Sequence, residues 1–546
     1  MMPKRRKRCD KFVSRLRIFV LQNFAPFWSL VERLPFLSRR VNALIINNAC
    51  NAASFRPHPM STLCDYTSWQ SLTDKTFLAR AIPPAQPNAD LPSVKEAARI
   101  FMPEDGQKEC PKSTLLFPIF AQYLTDGFLR TDPHDRLKTT SNHDIDLSPL
   151  YGRTMAQTLA LRIRSEHAGK KGRLKSQMIE GEEFPPDLYQ PGDTGYAPDF
   201  VDAQGTHRLD LPLGIGDDWV DGEGFRRRLF AMGGDRANST ATVAMLNTLF
   251  LREHNRLAGE LEHLSPEWSD DRVFETARNI VIAVFIKIVV EEYINHISSA
   301  CFRLKADPAV AWAAKWNKPN WMTVEFSLLY RWHSLVPQKI VWDGKLIDSS
   351  NVLLDNSKLM KAGLAQAFQW AGQTPAAKLG LHNTAIFLEN DLTVESRALT
   401  QNRDRCLQGY NAYRKSMGMK AVDGFDCMTG NPAWQDELRA LYGSPDNIDF
   451  YVGLFAEDSG INTPMPPLLG AMVALDAFSQ ALNNPLLSSQ VYNERTFTAA
   501  GMATIEGTTC LWDVLTRNIG SKTAPDLRAE HVRMTRSDWR RRFGSF

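Results

Sequence analysis

The densest run of chemically capable side chains is Glu325-Phe326-Ser327-Leu328-Leu329-Tyr330-Arg331-Trp332-His333. On one continuous helix Tyr330 and His333 stand three residues apart and share a face. An imidazole there can bind iron, and a phenol beside it can give up an electron and a proton to become a radical. That pairing suits a haem site. The same spacing also fits a core histidine satisfied by its neighbours with an aromatic ring alongside, and on spacing alone this second reading is the commoner.

These residues need a scaffold, and the hydrophobic pattern supplies mainly helices. Apolar periodicity predicts one helix over 113–129, a second over about 240–261 and a third over about 266–300. Ser265 serves as N-cap of the third, with Pro266 as its first residue. Its centre, Ile280-Val281-Ile282-Ala283-Val284-Phe285-Ile286, is apolar all round and requires deep burial. A further helix over 322–335 is expected to carry the tyrosine and the histidine. Residues 184–224, rich in Gly, Pro and Asp, read as a long loop. Residues 61–110, with Pro83, Pro84, Pro87 and Pro92, read as an irregular connector. Strand-like alternation is sparse and no internal repeat is present, so the class is mainly α.

Composition removes several kinds of protein. Hydrophobic residues at 43% and charged residues at 23% exclude a disordered chain, a collagen and a coiled coil. No apolar run approaches the ~20 residues of a membrane-spanning helix, which excludes a polytopic membrane protein. With 64 basic against 61 acidic residues, the chain lacks the basic excess of a nucleic-acid binder. The eight cysteines form no CxxC pair, and most of them read as buried free thiols of a reducing compartment. Lys4-Arg5-Arg6-Lys7-Arg8 precedes an apolar stretch, but Arg15 and Arg17 interrupt it and no small-residue cleavage site follows. This favours amphipathic helices over a signal peptide. Phe24, Phe27, Trp28, Leu30, Leu34 and Phe36 with Arg33, Arg39 and Arg40 could lie in a membrane interface or pack on the core. The expected layout is a possible membrane-docking segment, 1–60, before a catalytic domain, 61–546. The expected location is cytoplasmic or peripheral to a membrane, and the sequence sets no oligomeric state.

Tyr330-Arg331-Trp332-His333-Ser334 resembles the motif of the haem fatty-acid dioxygenases, which include the cyclooxygenases and linoleate diol synthases of the animal-type haem peroxidase superfamily. The resemblance begins at Asp65-Tyr66-Thr67-Ser68-Trp69 and Ala81-Ile82-Pro83-Pro84. It continues through Phe120-Ala121-Gln122, Asp146-Leu147-Ser148-Pro149-Leu150-Tyr151-Gly152 and Leu251-Arg252-Glu253-His254-Asn255-Arg256. It reaches Tyr410-Asn411-Ala412-Tyr413-Arg414-Lys415 and Ile448-Asp449-Phe450-Tyr451-Val452-Gly453-Leu454, in the family's order. The resemblance implies one large helical catalytic domain around haem. His333 is then the proximal iron ligand, and Tyr451 the hydrogen-bond partner of its other ring nitrogen. Tyr330 is the radical that takes hydrogen from an acyl chain, Gln122 the distal glutamine and Arg236 the distal arginine. Trp332 and His143 join the residues placed beside the cofactor, while His254 is structural. The implied reactants are an unsaturated fatty acid and O2, and the product a hydroperoxide. The alternatives are a haem peroxidase of small donors and a non-catalytic peroxidase-fold binding protein.

The sequence departs from the family at several places. The distal histidine position holds Asp126. An aspartate ionises near pH ~4 and would need desolvation to exchange protons with peroxide near neutrality. Either Asp126 is so tuned, or His143 reaches the pocket, or peroxidase turnover is weak and the enzyme mainly oxygenates. The last reading is favoured, with trace peroxide still required to make the radical. Ser239 replaces the glutamate esterified to haem in mammalian peroxidases, so the expected cofactor is haem b without an ester link. Relatives bind calcium near the distal segment, but no full ligand set is traceable here. The epidermal-growth-factor-like module has no counterpart. Asn51 and Ala300 stand at the arginine and tyrosine that anchor the substrate carboxylate in cyclooxygenases, with Arg56 a nearby substitute. A linear hydroperoxide is therefore expected rather than prostaglandin-type double oxygenation. Ser479 is the candidate for the acetylation-site serine.

Overall fold

The computed structural model describes residues 16–51, 68–88, 90–132, 134–190, 195–212, 228–386, 388–389, 392–520, 522, 524 and 526–544. Arg56, the basic run at residues 4–8, Cys9, Cys64 and most of the Asp65–Trp69 motif lie outside them. Residues 16–23 are helical and lead into α1 (Ala25–Glu32) and α2 (Pro35–Cys50). Both labelled helices carry proline at the start, where its fixed φ suits a first turn and its missing N–H costs nothing. Val31, Ile46 and Cys50 face inward, whereas Phe24, Phe27, Leu30, Leu34, Phe36 and Leu44 are exposed. Asn42 Nδ2 donates to the Lys305 carbonyl (3.0 Å) and Trp316 Nε1 to Asn47 Oδ1 (2.6 Å), fastening α2 to the main body. One face is thus packed and the other open. No helix among the described residues is long and apolar enough to cross a membrane.

The helix expected over 113–129 is shorter. Glu109–Thr114 is extended and pairs antiparallel with Pro375–Ala377. Pro111 disfavours helix here, and the Thr114 N–H bonds the Met534 carbonyl (2.9 Å). Helix α3 (Leu116–Asp126) follows, nearly all of it buried. Helix α4 (Ala241–Leu264) starts where Thr240 Oγ1 accepts from Val243 N–H. Ser265 closes α4 instead of opening the next helix. The N-cap of α5 (Asp270–Ile288) is Ser269, whose hydroxyl accepts from Arg272 N–H, with Asp270 and Asp271 favourably placed in the first turn. The all-apolar centre of α5 is buried as expected. A π turn, Val289–Ile294, then carries Tyr293 onward to Ile297.

Short elements complete the frame: α6 (Phe326–Leu329), α7 (Glu395–Asp404), α8 (Tyr410–Ser416), α9 (Phe450–Ala456) and α10 (Pro467–Leu482). The described strands form four two-stranded ladders, so the fold is mainly helical with a single large core. The described part of 184–224 is irregular apart from a short 3-10 turn at Pro198–Phe200. Within 61–110, the connector holds short helices at Trp69–Thr73 and Val94–Arg99, the second opened by a Ser93–Glu96 capping box. The described cysteines are unpaired, but only Cys50 and Cys110 are buried, so the expectation of buried thiols holds for two of six.

Gly453 sets the spacing of α8 and α9. A Cβ there would stand 2.3 Å from the Tyr410 ring, well inside contact distance. Gly453→Ala is expected to cost ~1–3 kcal/mol through overpacking and to loosen the Tyr451 turn beside it. Urea unfolding of the two proteins checks this, and an unchanged midpoint would contradict it.

Candidate active site

Tyr330 and His333 do not share a helix face. Helix α6 stops at Leu329, Tyr330 adopts φ −103° and ψ 19°, and His333 opens a 3-10 turn, His333–Leu335. Side chains end the helix by taking its last carbonyls, which would otherwise lack partners. Arg331 Nε donates to the Ser327 carbonyl (3.1 Å) and Trp332 Nε1 to the Leu329 carbonyl (2.5 Å). The bend turns the phenol and the imidazole into separate environments.

The imidazole is held from behind by a carboxylate. His333 Nδ1 donates to Glu395 Oε2 at 3.0 Å. The Tyr451 hydroxyl donates to the same oxygen, and Thr384 Oγ1 donates to Oε1 (2.9 Å). Burial opposes ionisation of Glu395, but His333, Tyr451 and Thr384 outweigh it and hold its pKa below the ordinary glutamate value. Tyr451 therefore supports the histidine through Glu395, where a direct bond was expected. Glu395 itself escaped sequence reading. It lies 62 residues from His333 in a polar helix, and its one local signal is a carboxylate in the first turn of α7, where the helix dipole favours it.

Tyr330 is buried. Burial first, and the Asp476 charge second, push its phenol far above the ordinary tyrosine range, so it stays protonated at working pH. Its ring stacks on Trp332 (4.9 Å, 25° between planes) and lies 4.6 Å from Phe326. The Tyr293 hydroxyl faces it without a well-formed hydrogen bond. Trp332, expected beside the cofactor, packs against Tyr330, Tyr293 and Phe117.

On α3, Gln122 Nε2 donates to Ser239 Oγ (2.6 Å). Asp126 ends the helix in full enclosure, with Arg130 at 3.8 Å and Arg236 at 3.7 Å. Gly234 presses on it so closely that a Cβ would meet Asp126 Oδ2 at 2.3 Å. Burial raises its pKa to about 7; Asp235 adds to the rise, while Arg130 and Arg236 oppose it. The desolvation an aspartate base would need is therefore present. Yet the carboxyl faces Arg236, whose side chain is 32% exposed, and has no open surface of its own. His143, the alternative base, has both ring nitrogens engaged. Its Nδ1 accepts from Met322 N–H (2.8 Å), its Nε2 donates to the Lys75 carbonyl (2.5 Å), and burial lowers its pKa. Both nitrogens are committed to joining chain segments. His254 is likewise structural, between Tyr151 and the Gly172 carbonyl, and burial drives its pKa down to about 3.

The donor set fits a haem. The iron needs an imidazole, and the His333 side chain is 22% exposed amid the buried Trp332 and Ser334. The propionates need cations. Arg405 is driven down to about 9 by burial first and then by the charges of Arg331 and Arg136, and its Nε lacks a hydrogen bond. Crowded cations of this kind suit two carboxylates. Arg331 also feels Arg236, linking the proximal and distal sides.

A carboxylate-held imidazole and a buried stacked tyrosine, set among helices, suit a haem oxidoreductase of the peroxidase type. Residues 132–529 match the animal haem peroxidase family, and the chain belongs to it. It is accordingly an oxidoreductase, and haem is its family cofactor. Prostaglandin G/H synthase 2 of Bos taurus is 28% identical over 504 residues, covering 88% of this chain and 76% of that protein. Two solved structures share the fold. Oryza sativa fatty acid alpha-dioxygenase gives a TM-score of 0.62 at 18% identity, covering 81% of this chain and 80% of that one. Peroxidase A from Dictyostelium discoideum gives 0.63 at 18% identity, covering 87% and 99%.

Two outcomes follow from this geometry. Glu395→Gln removes the negative charge behind the imidazole, so the ferric/ferrous midpoint potential of the haem-loaded protein should move positive. Spectroelectrochemistry measures it, and an unchanged potential would show that the carboxylate does not act on the ligand. Asp126 keeps its proton up to about pH 7 when folded but loses it near 3.8 otherwise. Its contribution to stability is therefore complete below about pH 4 and is lost as pH rises to about 7. Asp126→Asn should flatten part of that decline in denaturant titrations, leaving the share of Glu292, which burial also raises to about 7.

Proposed function

We propose that the protein is a haem-dependent fatty-acid dioxygenase. Tyr330, as a radical, takes a hydrogen atom from an allylic or bis-allylic carbon, and O2 adds to the carbon radical to give a hydroperoxide. The observation that carries this reading is the buried Tyr330, held protonated three residues from the carboxylate-held His333; a largely apolar cavity of about 390 Å3 is lined by the neighbouring π turn and α10. That volume is within the usual range for small-molecule sites. Ile294 lines the cavity directly after Tyr293, and Val473 and Ala474 line it on α10, the helix that presents Asp476 to the phenol.

His333 would hold haem b, without an ester link at Ser239, and the haem would supply the oxidising equivalent for Tyr330 with peroxide as the oxidant. The chain's own residues do the rest. Glu395 fixes the imidazole through Nδ1, leaving Nε2 as the iron-binding nitrogen, and Arg331, Arg405 and Arg136 offer charge to the propionates. Gln122 and Arg236 hold the distal side, and Asp126 positions Arg236. Because Tyr330 stays protonated, its oxidation must release a proton together with the electron. Trp332 and Phe326 pack the ring, and its burial keeps the radical from bulk water.

The exposed apolar faces of α1 and α2, with Arg33, Arg39 and Arg40 nearby, suit docking on a membrane from which a lipid chain could enter. The near-neutral Asp126 favours a second reading, turnover of small donors with hydrogen peroxide at the same haem.

Haem-loaded protein incubated with oleate and linoleate, with and without oxygen, should yield oxygen-dependent hydroperoxides by mass spectrometry, and Tyr330→Phe should reduce them to background. Haem-bound protein that oxidises guaiacol but leaves both acids untouched would overturn this function in favour of the peroxidase.

A further inference from the structure

A second cluster of titratable side chains lies outside the residues assigned to haem. Glu104, His382 and Glu437 each offer one atom, an imidazole nitrogen or a carboxylate oxygen, and the three atoms lie within 4.8 Å of one another. They come from three segments: the stretch after the short helix Val94–Arg99, the loop that follows the Pro375–Ala377 strand, and the helix Pro432–Tyr442.

His382 is the buried member. Its side chain is 5% exposed, against 66% for Glu104 and 35% for Glu437. Trp434, one turn before Glu437 on the same helix, packs on the imidazole with ring centroids 5.3 Å apart and 30° between planes. Packing thus fixes the ring, and the two carboxylates reach it from the surface.

Protons alone serve this ring poorly. Nε2 donates to Glu437 Oε2 at 2.8 Å. Nδ1 is buried, makes no hydrogen bond and faces Glu104 Oε1 at 3.5 Å. Without a proton, its lone pair is set against a carboxylate. With one, its acceptor stands beyond the about 2.7–3.2 Å of a good N–H···O bond. The Met102 carbonyl also faces the ring without a well-formed hydrogen bond. Neither glutamate pairs with a lysine or arginine among the described residues. Burial opposes a charge on His382, yet Glu437 and Glu104 outweigh it and hold its pKa above the ordinary histidine value. A cation is favoured here, and two carboxylates around one imidazole suit a divalent one.

We propose that Glu104, His382 and Glu437 bind a divalent metal ion, zinc by the chemistry of the ligands. Zinc takes imidazole nitrogen and carboxylate oxygen at about 2.0–2.2 Å. The three atoms must therefore close on the ion, which the exposed glutamates do by changing rotamer while His382 stays in place. An imidazole ligand sets zinc apart from magnesium and calcium, which prefer oxygen alone. The remaining coordination position falls to water or to the Met102 carbonyl. The ion cross-links three segments next to the proximal side. His382 N–H bonds the Ile100 carbonyl (2.9 Å), Thr384 N–H bonds the Phe101 carbonyl (2.9 Å), and Thr384 Oγ1 donates to Glu395 behind His333. The site does not depend on which reaction the haem performs.

The test uses full-length, haem-loaded protein freed of other metals with EDTA, and zinc chloride as the probe. Equilibrium dialysis with elemental analysis should find one zinc ion per chain, and the melting temperature should rise as zinc is added. Glu104→Gln, Glu437→Gln and His382→Gln should each weaken binding about tenfold or more and reduce the thermal shift. Zinc-edge X-ray absorption should show a single imidazole among oxygen ligands. Magnesium and calcium should leave the melting temperature unchanged. Glu104→Gln, at an exposed side chain, keeps the test open where His382→Gln does not fold. No stoichiometric zinc, or stoichiometric zinc that Glu104→Gln and Glu437→Gln both leave unchanged, would overturn the proposal and leave an ion-paired histidine.

Discussion

One buried carboxylate organises the proximal side. Glu395 accepts from His333, Tyr451 and Thr384, which come from the turn after α6, from α9 and from the loop before α7. Each donor also fixes the position of its own segment. Removing any one would leave a buried charge less well satisfied, and breaking such an arrangement typically costs about 3–5 kcal/mol. The site is thereby coupled to packing far from it. The closeness of Gly453 to Tyr410 sets where α9, and hence Tyr451, can stand.

The opposite side is built around a different kind of burial. Asp126 is surrounded by Arg130, Arg236, Asp235 and Gly234, so its charge is balanced within a cluster and not by water. Tyr330 is buried as well, which suppresses its ionisation and favours joint loss of a proton and an electron. The α6 break sets it apart from the imidazole. Had Arg331 and Trp332 left the Ser327 and Leu329 carbonyls to a continuing helix, the phenol and the imidazole would lie on one face.

Much of this was legible in the sequence, and the limits have physical causes. The apolar centre of α5, the long helix α4 and the mainly helical class follow from periodicity, because they depend on burial of whole faces. The identities of Tyr330, His333, Gln122 and Asp126 came from motif order. Helix ends were less legible, since Ser265 and Ser269 are both competent caps and tertiary packing chose the second. The bend at Tyr330 depends on two side chains competing for backbone carbonyls. Glu395 was missed because it meets its partners only after folding. The ring nitrogens of His143 and Trp332, both expected beside the cofactor, serve backbone carbonyls and an amide, partners that only the fold reveals.

The central claim is that Tyr330 is the residue that carries the oxidising equivalent. Freeze-quench electron paramagnetic resonance of the haem-loaded protein, seconds after peroxide is added without fatty acid, tests it most directly. The account predicts a tyrosyl radical signal in the wild type that disappears in Tyr330→Phe while haem remains bound through His333. An identical tyrosyl signal in both proteins would place the radical on another tyrosine and contradict the account.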